Sequence, residues 1–379
     1  MSDRPARAAR AVDAVVGLPA DDLLALSAAL VDVPSESHHE AHLCDLLEQR
    51  LTQRAPSLDC IRVDNNLIVR TDFGRERRVV LGGHVDTVPA NDNARARIDG
   101  NVLHGLGSAD MKGSLAVLLA LAEQLHEHPD AAQHDVTLAF YEGEEVADEF
   151  NGLRKVFEQR ARLLDGDFAV LLEPTDGWVE AGCQGFLIVR AEFDGERAHT
   201  ARPWMGVNAI HRASAVLSRV AAQESDTVLV DGLEFRESLQ AVRIEGGVTG
   251  KHNVVPDACA LVLNRRFAPA YTAEEAFEQV SALVAGPDGG GADRVEMLQA
   301  QPAAAPNLAN PLVNDFVQGL GLPVRPKLGW TDVARFASRG VPAVNFGAGD
   351  PTIAHTAGEH VTRESLERCH EVLARFLGL

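Results

Sequence analysis

Hydrophobic and polar positions along the chain predict strands and helices that alternate. Three apolar runs have the length and composition of buried strands, at residues 79–81, 136–141 and 169–172. Between the first two runs, residues 111–127 are predominantly apolar over a length that indicates a helix. Strands alternating with helices indicate an α/β sheet with helices packed on its faces.

The same reasoning predicts the remaining elements. Helices are predicted at residues 21–33, 39–54, 207–222, 272–284, 311–320 and 363–377. Thr272 and Glu275 form a capping-box pattern at the start of one of these helices. Further strands are predicted at residues 186–193, 239–244, 258–267, 294–298 and 343–346, together with a hairpin of residues 60–63 and 67–71 that turns at Asn65-Asn66.

Residues 184–297 have a different pattern from the chain on either side. They hold two predicted helices and four predicted strands, which indicates a compact α+β module. Because the α/β pattern resumes afterwards, we predict that this module is inserted into a larger domain formed by residues 1–183 and 298–379.

Composition narrows the class of protein. The 379 residues carry a formal net charge of −20, which argues against nucleic acid or an anionic membrane surface as the partner. Apolar residues make up 46% of the chain, yet no run of about 18 of them predicts a membrane span. The first residues contain arginines without a continuous apolar run, so no secretory leader is predicted.

The five cysteines are scattered along the chain and form no C-x-x-C pair. This spacing favours reduced thiols in a cytoplasmic protein over a disulfide framework. A catalytic cysteine is the alternative that spacing alone does not eliminate.

Polar side chains follow each of the three buried strands of the α/β region. His84 and Asp86 come after the first strand, an acidic cluster at 142–145 after the second, and Glu173 after the third. In open α/β sheets, ligands bind outside the carboxyl ends of the strands. On an extended backbone, residues two apart face the same way, so Asp86 could accept a hydrogen bond from His84 and fix its orientation.

Imidazole and carboxylate groups in these positions predict a metal site. The candidate groups are His84, Asp110, Glu144, Glu145, Glu173 and His355. Taken singly, each is also consistent with an ordinary polar loop. Together they are too many for one tetrahedral ion but suit two zinc-like ions that share a carboxylate, with a water between them. Of the adjacent Glu144 and Glu145, one could hold metal while the other moves protons.

Five segments, in order over nearly the whole chain, identify a resemblance to a known family. They are similar to motifs of the dinuclear zinc family of aminoacylases, glutamate carboxypeptidases and acetylornithine deacetylases: GGHVDTVP, GLGSADMKGS, YEGEEV, LLEPT and AHTAGEH. The resemblance implies a zinc-peptidase-like catalytic domain, with a mixed sheet flanked by helices, at residues 1–183 and 298–379. It also implies that the inserted module, residues 184–297, is a two-layer α+β lid that forms a homodimer contact.

The resemblance further implies a role for each candidate residue of the metal site. His84, Asp110 and Glu173 would hold one zinc ion. Asp110, Glu145 and His355 would hold the other, with Asp110 bridging and Co²⁺ as a substitute for Zn²⁺. Asp86 would orient His84, and Glu144 would act as general base and then as general acid.

The resemblance assigns other roles to residues of the lid region. His199, in ERAHTARP, matches the histidine that reaches the active site of the partner subunit. Arg266 and Asn253 match lid positions associated with substrate carboxylate binding or site closure. Thr331 matches a substrate-contacting loop, and Arg202, beside His199, is expected to contact the substrate.

Within the family, further motifs are similar to a desuccinylase subfamily: VEAGCQG, RAHTARPWMGVNAIH, GWTDVARF and GAGDPTIAHTAGEH. This similarity implies hydrolysis of N-succinyl-LL-2,6-diaminopimelate to succinate and LL-2,6-diaminopimelate, in lysine and cell-wall precursor synthesis. Two positions depart from relatives in other bacteria, which have arginine at the place of Cys183 and an amide side chain at the Asp350-Pro351 loop. Another deacylase, such as an acetylornithine deacetylase, and a non-catalytic metal-binding protein are the alternatives.

Overall fold

The computed structural model describes residues 14–247, 249–286 and 290–379. The arginine-containing start of the chain, for which no secretory leader is predicted, therefore lies outside the described residues as far as residue 13. The described residues form two compact units, the first within the ranges 14–181, 307–325 and 335–379 and the second within 182–306 and 326–334. In the described ranges, no helix is both long and apolar enough to cross a membrane.

The largest sheet has eight strands and forms the centre of the first unit. Its strands, in chain order, are β1 (Asp59–Val63), β2 (Asn66–Arg70), β3 (Arg78–His84), β6 (Asp135–Tyr141), β7 (Phe168–Leu171), β8 (Val179–Cys183), β15 (Val324–Lys327) and β16 (Ala343–Asn345). They lie in the spatial order β1-β2-β6-β3-β7-β16-β8-β15. The sheet is mixed, because β3 runs parallel to β6 and β7 whereas β2 runs antiparallel to β6.

The central strands of this sheet are buried along almost their whole length. β6 is buried at every position, and β3 at every position after Arg78. Parallel strands that are covered on both faces need continuous apolar sequence, which is the pattern that marked them in the chain. Among the described residues, the α-helices of this unit are α1 (Leu23–Val31), α2 (Ala41–Arg54), α3 (Gly113–Glu127), α4 (Gly152–Arg160), α7 (Pro311–Val317) and α9 (Arg363–Leu377), and α8 (Val333–Ala337) begins in the second unit and ends in the first.

The second unit contains a four-stranded antiparallel sheet and two helices. The strands are β9 (Gly185–Asp194), β12 (Ser238–Gly246), β13 (Ala258–Phe267) and β14 (Arg294–Gln301), in the spatial order β12-β13-β9-β14. Helices α5 (Ala209–Ala221) and α6 (Ala273–Ala285) contribute to one apolar core with alternate residues of β9 and β13. Alternation along β9 therefore reflects one face packed on helices.

Smaller sheets complete the described chain. β4 (Arg97–Asp99), β5 (Val102–His104) and β17 (His360–Thr362) form a three-stranded sheet, and β10 (Thr227–Val230) pairs with β11 (Leu233–Arg236). None of these five strands was predicted. They have three or four residues each, which is too short for a period-2 pattern to stand out.

Most predicted elements are confirmed, and the differences have local causes. The β1–β2 hairpin turns at Asp64-Asn65, one residue before the predicted turn, since Val63 pairs with Asn66 and Asp64 takes a positive φ of 54°. The capping box at Thr272 and Glu275 is present. The second unit extends past the predicted boundary at residue 297, because β14 continues its pairing with β9 as far as Gln301 opposite Phe186.

Candidate metal centre

The carboxyl ends of three neighbouring strands bring the candidate ligands of the first unit to one edge of the sheet. His84 is the last residue of β3 and pairs with Tyr141, the last residue of the parallel strand β6. Gly82 pairs with Leu171 at the end of β7, two residues before Glu173. Because all three strands run in the same direction, the groups that follow them share this edge.

Asp110 lies between two histidines that come from opposite ends of the chain. Its Oδ1 is 3.0 Å from Nε2 of His84, and its Oδ2 is 3.3 Å from Nε2 of His355. The same Nε2 of His355 is 2.8 Å from Oε1 of Glu145. Ligand atoms of His84, Asp110 and Glu145 all lie within 4.8 Å of one another. One carboxylate therefore faces two separate imidazoles, as a bridging ligand would.

Asp86 connects the first histidine to the acidic turn. Nδ1 of His84 lies 3.1 Å from the backbone carbonyl oxygen of Asp86 and 3.6 Å from its Oδ1. Since both of these atoms are acceptors, Nδ1 carries the proton and Nε2 is the atom available to a metal when the ring is neutral. The Asp86 carboxylate also accepts hydrogen bonds, each 3.1 Å long, from the backbone N–H groups of Glu144 and Glu145.

A glycine permits the turn that carries Glu144 and Glu145. Gly143 adopts a positive φ of 67°, and a Cβ added there would lie 2.5 Å from the carbonyl oxygen of Phe150. Any larger residue would push the two chain segments apart. Gly143 therefore permits the shape of the turn, and the hydrogen bonds to Asp86 hold the N–H groups of Glu144 and Glu145 in place.

The charges of the site are strongly coupled. Burial disfavours a charged His84, but hydrogen bonds to Asp110 and Asp86 outweigh it and raise the pKa of His84 well above its usual value. The Glu173 carboxylate, which is buried, adds to this rise through its charge. Hydrogen bonds to Asp110 and Glu145 raise the pKa of His355 to about 10. The raised pKa values of both histidines show that several negatively charged carboxylates lie around them.

The donor set fits divalent transition-metal ions. Two imidazoles and several carboxylates, with ligand atoms 2.8–3.3 Å apart, are the ligand types that zinc accepts. A cation placed among them would replace the protons that the histidines hold in its absence.

The other predicted site residues lie in the second unit. His199, Arg202 and Asn253 lie on neighbouring segments, since Thr200 N–H donates to the Asn253 carbonyl and Arg202 N–H to the His199 carbonyl. Nδ1 of the exposed His199 accepts the N–H of Ala201 at 3.1 Å, which leaves Nε2 as the donor of a neutral ring.

Arg266 and Thr331 have different surroundings. The Arg266 guanidinium lies over the ring of Phe186, 5.1 Å from its centroid, and burial lowers the pKa of Arg266. Trp330 meets the same ring edge-on at 6.4 Å. Thr331, the next residue, is buried, and its carbonyl lies 3.9 Å from Sγ of Cys183. Among the described residues, no carboxylate forms an ion pair with Arg266.

Two residues around the metal centre were missed by the sequence reasoning. The Ser37 hydroxyl donates to Oδ2 of Asp86 at 2.8 Å. The buried carboxylate of Glu359 accepts the backbone N–H groups of Ala109 and Asp110. Neither residue follows a predicted strand. The sequence indicated them only by position, because Glu359 lies four residues after His355 and Ser37 lies in a polar SES segment.

Comparison with known proteins finds similarity over most of the chain. The model of peptidase family M20/M25/M40 matches residues 80–378. A relative from Mycobacterium tuberculosis, provisionally named succinyl-diaminopimelate desuccinylase DapE, is 43% identical over 94% of this chain and 98% of its own. The succinyl-diaminopimelate desuccinylase of Corynebacterium glutamicum is 41% identical over 94% of this chain and 96% of its own.

Solved structures share the fold at lower identity. A tripeptidase from Staphylococcus aureus superimposes with a TM-score of 0.75 at 22% identity, covering 95% of this chain and 98% of its own. The Bacillus subtilis YXEP protein, a dinuclear metal binding peptidase, gives a TM-score of 0.71 at 15% identity, covering 95% and 97%. With the family match over most of its length and relatives above 40% identity, the chain belongs to peptidase family M20/M25/M40.

Proposed function

We propose that this protein is a succinyl-diaminopimelate desuccinylase, a metal-dependent amide hydrolase that converts N-succinyl-LL-2,6-diaminopimelate and water into succinate and LL-2,6-diaminopimelate. The observation that carries the chemistry is the Asp110 carboxylate, whose two oxygens face the separate imidazoles of His84 and His355. Relatives of this name, at 41% and 43% identity over 94% of the chain, support the substrate. The reaction belongs to lysine and diaminopimelate biosynthesis, and five unpaired thiols are consistent with a cytoplasmic enzyme.

Two zinc ions are the proposed cofactors, with Co²⁺ as a substitute. His84, Asp110 and Glu173 would hold one ion, and Asp110, Glu145 and His355 the other. Bound there, zinc would supply Lewis acidity toward the scissile carbonyl and lower the pKa of water. Asp86 would orient His84 through Nδ1, 3.1 Å from its carbonyl oxygen.

Glu144 is the proposed general base and then general acid. Its backbone N–H is fixed by Asp86, while the neighbouring Glu145 turns its carboxylate to His355 at 2.8 Å. The two adjacent residues would therefore divide the work, because Glu145 is engaged by His355. Glu144 would take a proton from the attacking water and deliver it to the leaving amine.

Arg266 is the proposed contact for a substrate carboxylate. A partly buried guanidinium with an aromatic ring beneath it and no ion pair among the described residues offers its charge to a ligand. Cys183 stands where some relatives have arginine, and a thiol cannot supply the positive charge of a guanidinium. Burial raises the pKa of this thiol to about 11, so it also stays neutral. Asn253, Thr331 and Arg202 complete the proposed substrate-binding set.

A homodimer through the lid is part of the proposal. β12 is an edge strand of the second sheet, and its Val242 and Ile244 side chains are 56% and 55% exposed. An exposed edge with apolar side chains is a template for pairing with a second copy. His199 would then donate through Nε2–H to the oxyanion in the partner's site, since Nδ1 accepts from Ala201.

One comparison of substrates tests the function. Zinc-loaded protein is given N-succinyl-LL-diaminopimelate and, separately, acetylornithine, and release of succinate and of acetate is measured. We expect kcat/KM for succinate release from N-succinyl-LL-diaminopimelate to exceed kcat/KM for acetate release from acetylornithine. Preferential acetate release would reassign the protein to the acetylornithine deacetylases, and a metal-loaded sample inert toward a panel of N-acyl amino acids would indicate a non-catalytic metal-binding protein.

A further inference from the structure

Glu359 is a buried carboxylate beside the metal centre that the proposed mechanism does not use. Its residue is 1% exposed, and it lies four positions after His355, just before β17. Oε1 accepts the backbone N–H of Ala109 at 3.0 Å and that of Asp110 at 3.1 Å. The side chain therefore holds the backbone of the residue whose carboxylate faces both histidines.

Other contacts tie the same two loops together. The N–H of Gly105 donates to the backbone carbonyl of Glu359 at 3.2 Å. Asn93 donates through Nδ2 to the Thr356 carbonyl at 3.0 Å and accepts the N–H of Leu106 on its own carbonyl at 2.7 Å. The loop that ends in Asp110 and the loop that contains His355 are thus joined at both backbone and side-chain level.

The polar and charged groups around Glu359 come from the segment that carries Asp110. Burial raises its pKa, and hydrogen bonds from the N–H groups of Asp110, Gly107 and Ala109 oppose the rise. The basic group that faces it is the buried amine of Lys112, which donates to the Val33 carbonyl at 2.7 Å and whose pKa is lowered to about 7 by burial. The negative charge that faces it is Asp110.

We propose that Glu359 is a positioning residue of the metal centre. By anchoring the backbone of Asp110 to the segment that contains His355, Glu359 sets the separation of these two residues. A shared carboxylate must present its two oxygens in different directions, 3.0 Å from one imidazole and 3.3 Å from the other. Small backbone shifts would satisfy one contact at the expense of the other. His355 itself has a positive φ of 62°, an uncommon backbone state for a non-glycine residue that surrounding contacts must maintain.

This inference rests on the metal centre of the proposed function and not on its substrate. Its test therefore uses metal affinity, measured by competition with a chelator, and the visible absorption of Co²⁺-loaded protein. In Glu359→Leu, the N–H groups of Ala109 and Asp110 lose their acceptor. We expect the weaker-bound ion to lose about 10–100-fold in affinity, as is typical when a group that orients a metal ligand is removed. Glu359→Gln keeps an oxygen for these N–H groups, so we expect a smaller loss.

Glu237 provides a matched control in the second unit. It is 2% exposed, and its carboxylate accepts the N–H of Ala268 at 2.6 Å and a hydrogen bond from Arg265 at 2.5 Å. Glu237→Leu removes a comparable buried carboxylate from the second unit, which contains none of the proposed metal ligands. We expect it to lower the unfolding midpoint while metal affinity and the Co²⁺ spectrum stay as in the wild type.

Two outcomes would overturn the inference. One is a Glu359→Leu protein that is less stable, like Glu237→Leu, but binds both ions with wild-type affinity and an unchanged Co²⁺ spectrum. If the leucine variant does not fold, Glu359→Gln and Glu359→Asp decide: aspartate keeps the charge but draws it back by one methylene, so the glutamine variant should bind metal better, and the reverse ranking would refute positioning through the two N–H groups. A wild-type protein that binds two ions without cleaving acyl amino acids would refute the proposed function alone.

Discussion

The two units hold their functional side chains in opposite ways. In the first, His84, Asp86, Asp110 and Glu145 each contact another member of the site at 2.8–3.3 Å, and His84 and Asp86 are buried. In the second, His199 is exposed and Arg266 has an aromatic ring as its neighbour but no ion pair among the described residues. The difference indicates that the first unit is preorganised for a cation, whereas the second presents groups that a ligand or a partner must complete.

Replacing Glu144 should break the first unit's chemistry without breaking its metal site. As proton shuttle, Glu144→Gln should reduce turnover by about 10²–10⁴-fold while bound zinc is retained. Glu145→Gln, one residue later, should instead weaken metal binding because Glu145 contacts His355 at 2.8 Å. Turnover measured beside metal content separates the two variants, and near wild-type turnover in Glu144→Gln would mean that the roles of the pair are wrong.

Replacing His199 tests whether the second unit's exposed groups are completed by a partner. His199→Ala should lower turnover about 10²–10³-fold, as for loss of one oxyanion donor, with zinc content unchanged. Mixing it with Glu144→Gln should partly restore activity, since one site of a heterodimer would contain both an intact base and an intact partner histidine. Heterodimers verified by native mass spectrometry that show no recovery would place His199 in its own subunit's site or outside catalysis.

The contrast between the units also explains what the sequence could predict. His84, Glu145 and Glu173 were candidates because buried strands have continuous apolar sequence and their ends lie at one edge of the sheet, whereas Asp110 was a candidate from its place just before a predicted helix. Asp86 followed from its spacing to His84. Ser37 and Glu359 could not be found in this way, because they act through contacts 49 and 249 or more residues away in the chain.

In the second unit, the sequence alone did not predict the contacts of the candidate site residues. Arg266 and Phe186 are directly opposite each other on antiparallel strands, 80 positions apart, which only the register of β13 on β9 reveals. The tautomer of His199 likewise depends on a backbone N–H two residues later. In the first unit, the short strands β4 and β5, which precede the loop of Asp110, and β17, which follows His355, likewise have too few residues for a period to be detected.

The preorganisation of the first unit should appear as a pH-dependent metal affinity. In metal-free protein, hydrogen bonds to Asp110 and Glu145 raise the pKa of His355 to about 10, so at neutral pH a cation must displace a proton. Zinc affinity should therefore rise with pH by up to about tenfold per unit for each proton released. The same shift stabilises the metal-free fold below the unfolded-state pKa of His355, and this contribution disappears as pH rises through about 10.

Calorimetric titrations in buffers of different ionisation enthalpy would count the protons released. His355→Ala should release fewer protons and show a flatter dependence of affinity on pH. An affinity for zinc that does not change between about pH 6.5 and 8.5 would contradict the charge coupling of the site.

The smallest expected effect concerns the ring beneath Arg266. A cation–π contact is worth about 0.5–2 kcal/mol when partly desolvated, so Phe186→Leu should raise KM for the succinylated substrate about 2–30-fold with kcat retained. The reason is that leucine keeps apolar volume but loses the π face 5.1 Å from the guanidinium. If the ring acts through Arg266, the Arg266→Lys substitution should raise KM by a smaller factor in the Phe186→Leu protein than in the wild type.

The first unit supplies the control for this last prediction. Arg339 lies over the ring of Phe157 at 3.9 Å, a closer contact of the same kind at a residue with no proposed role in binding. Phe157→Leu should lower the unfolding midpoint, because Phe157 is buried and also meets Phe336 edge-on at 5.1 Å, but KM should not change. Equal KM values in the wild type and Phe186→Leu, or effects on KM that add to those of Arg266→Lys, would show that Arg266 binds substrate without help from the ring. The Arg266 guanidinium would then be positioned by the ligand alone.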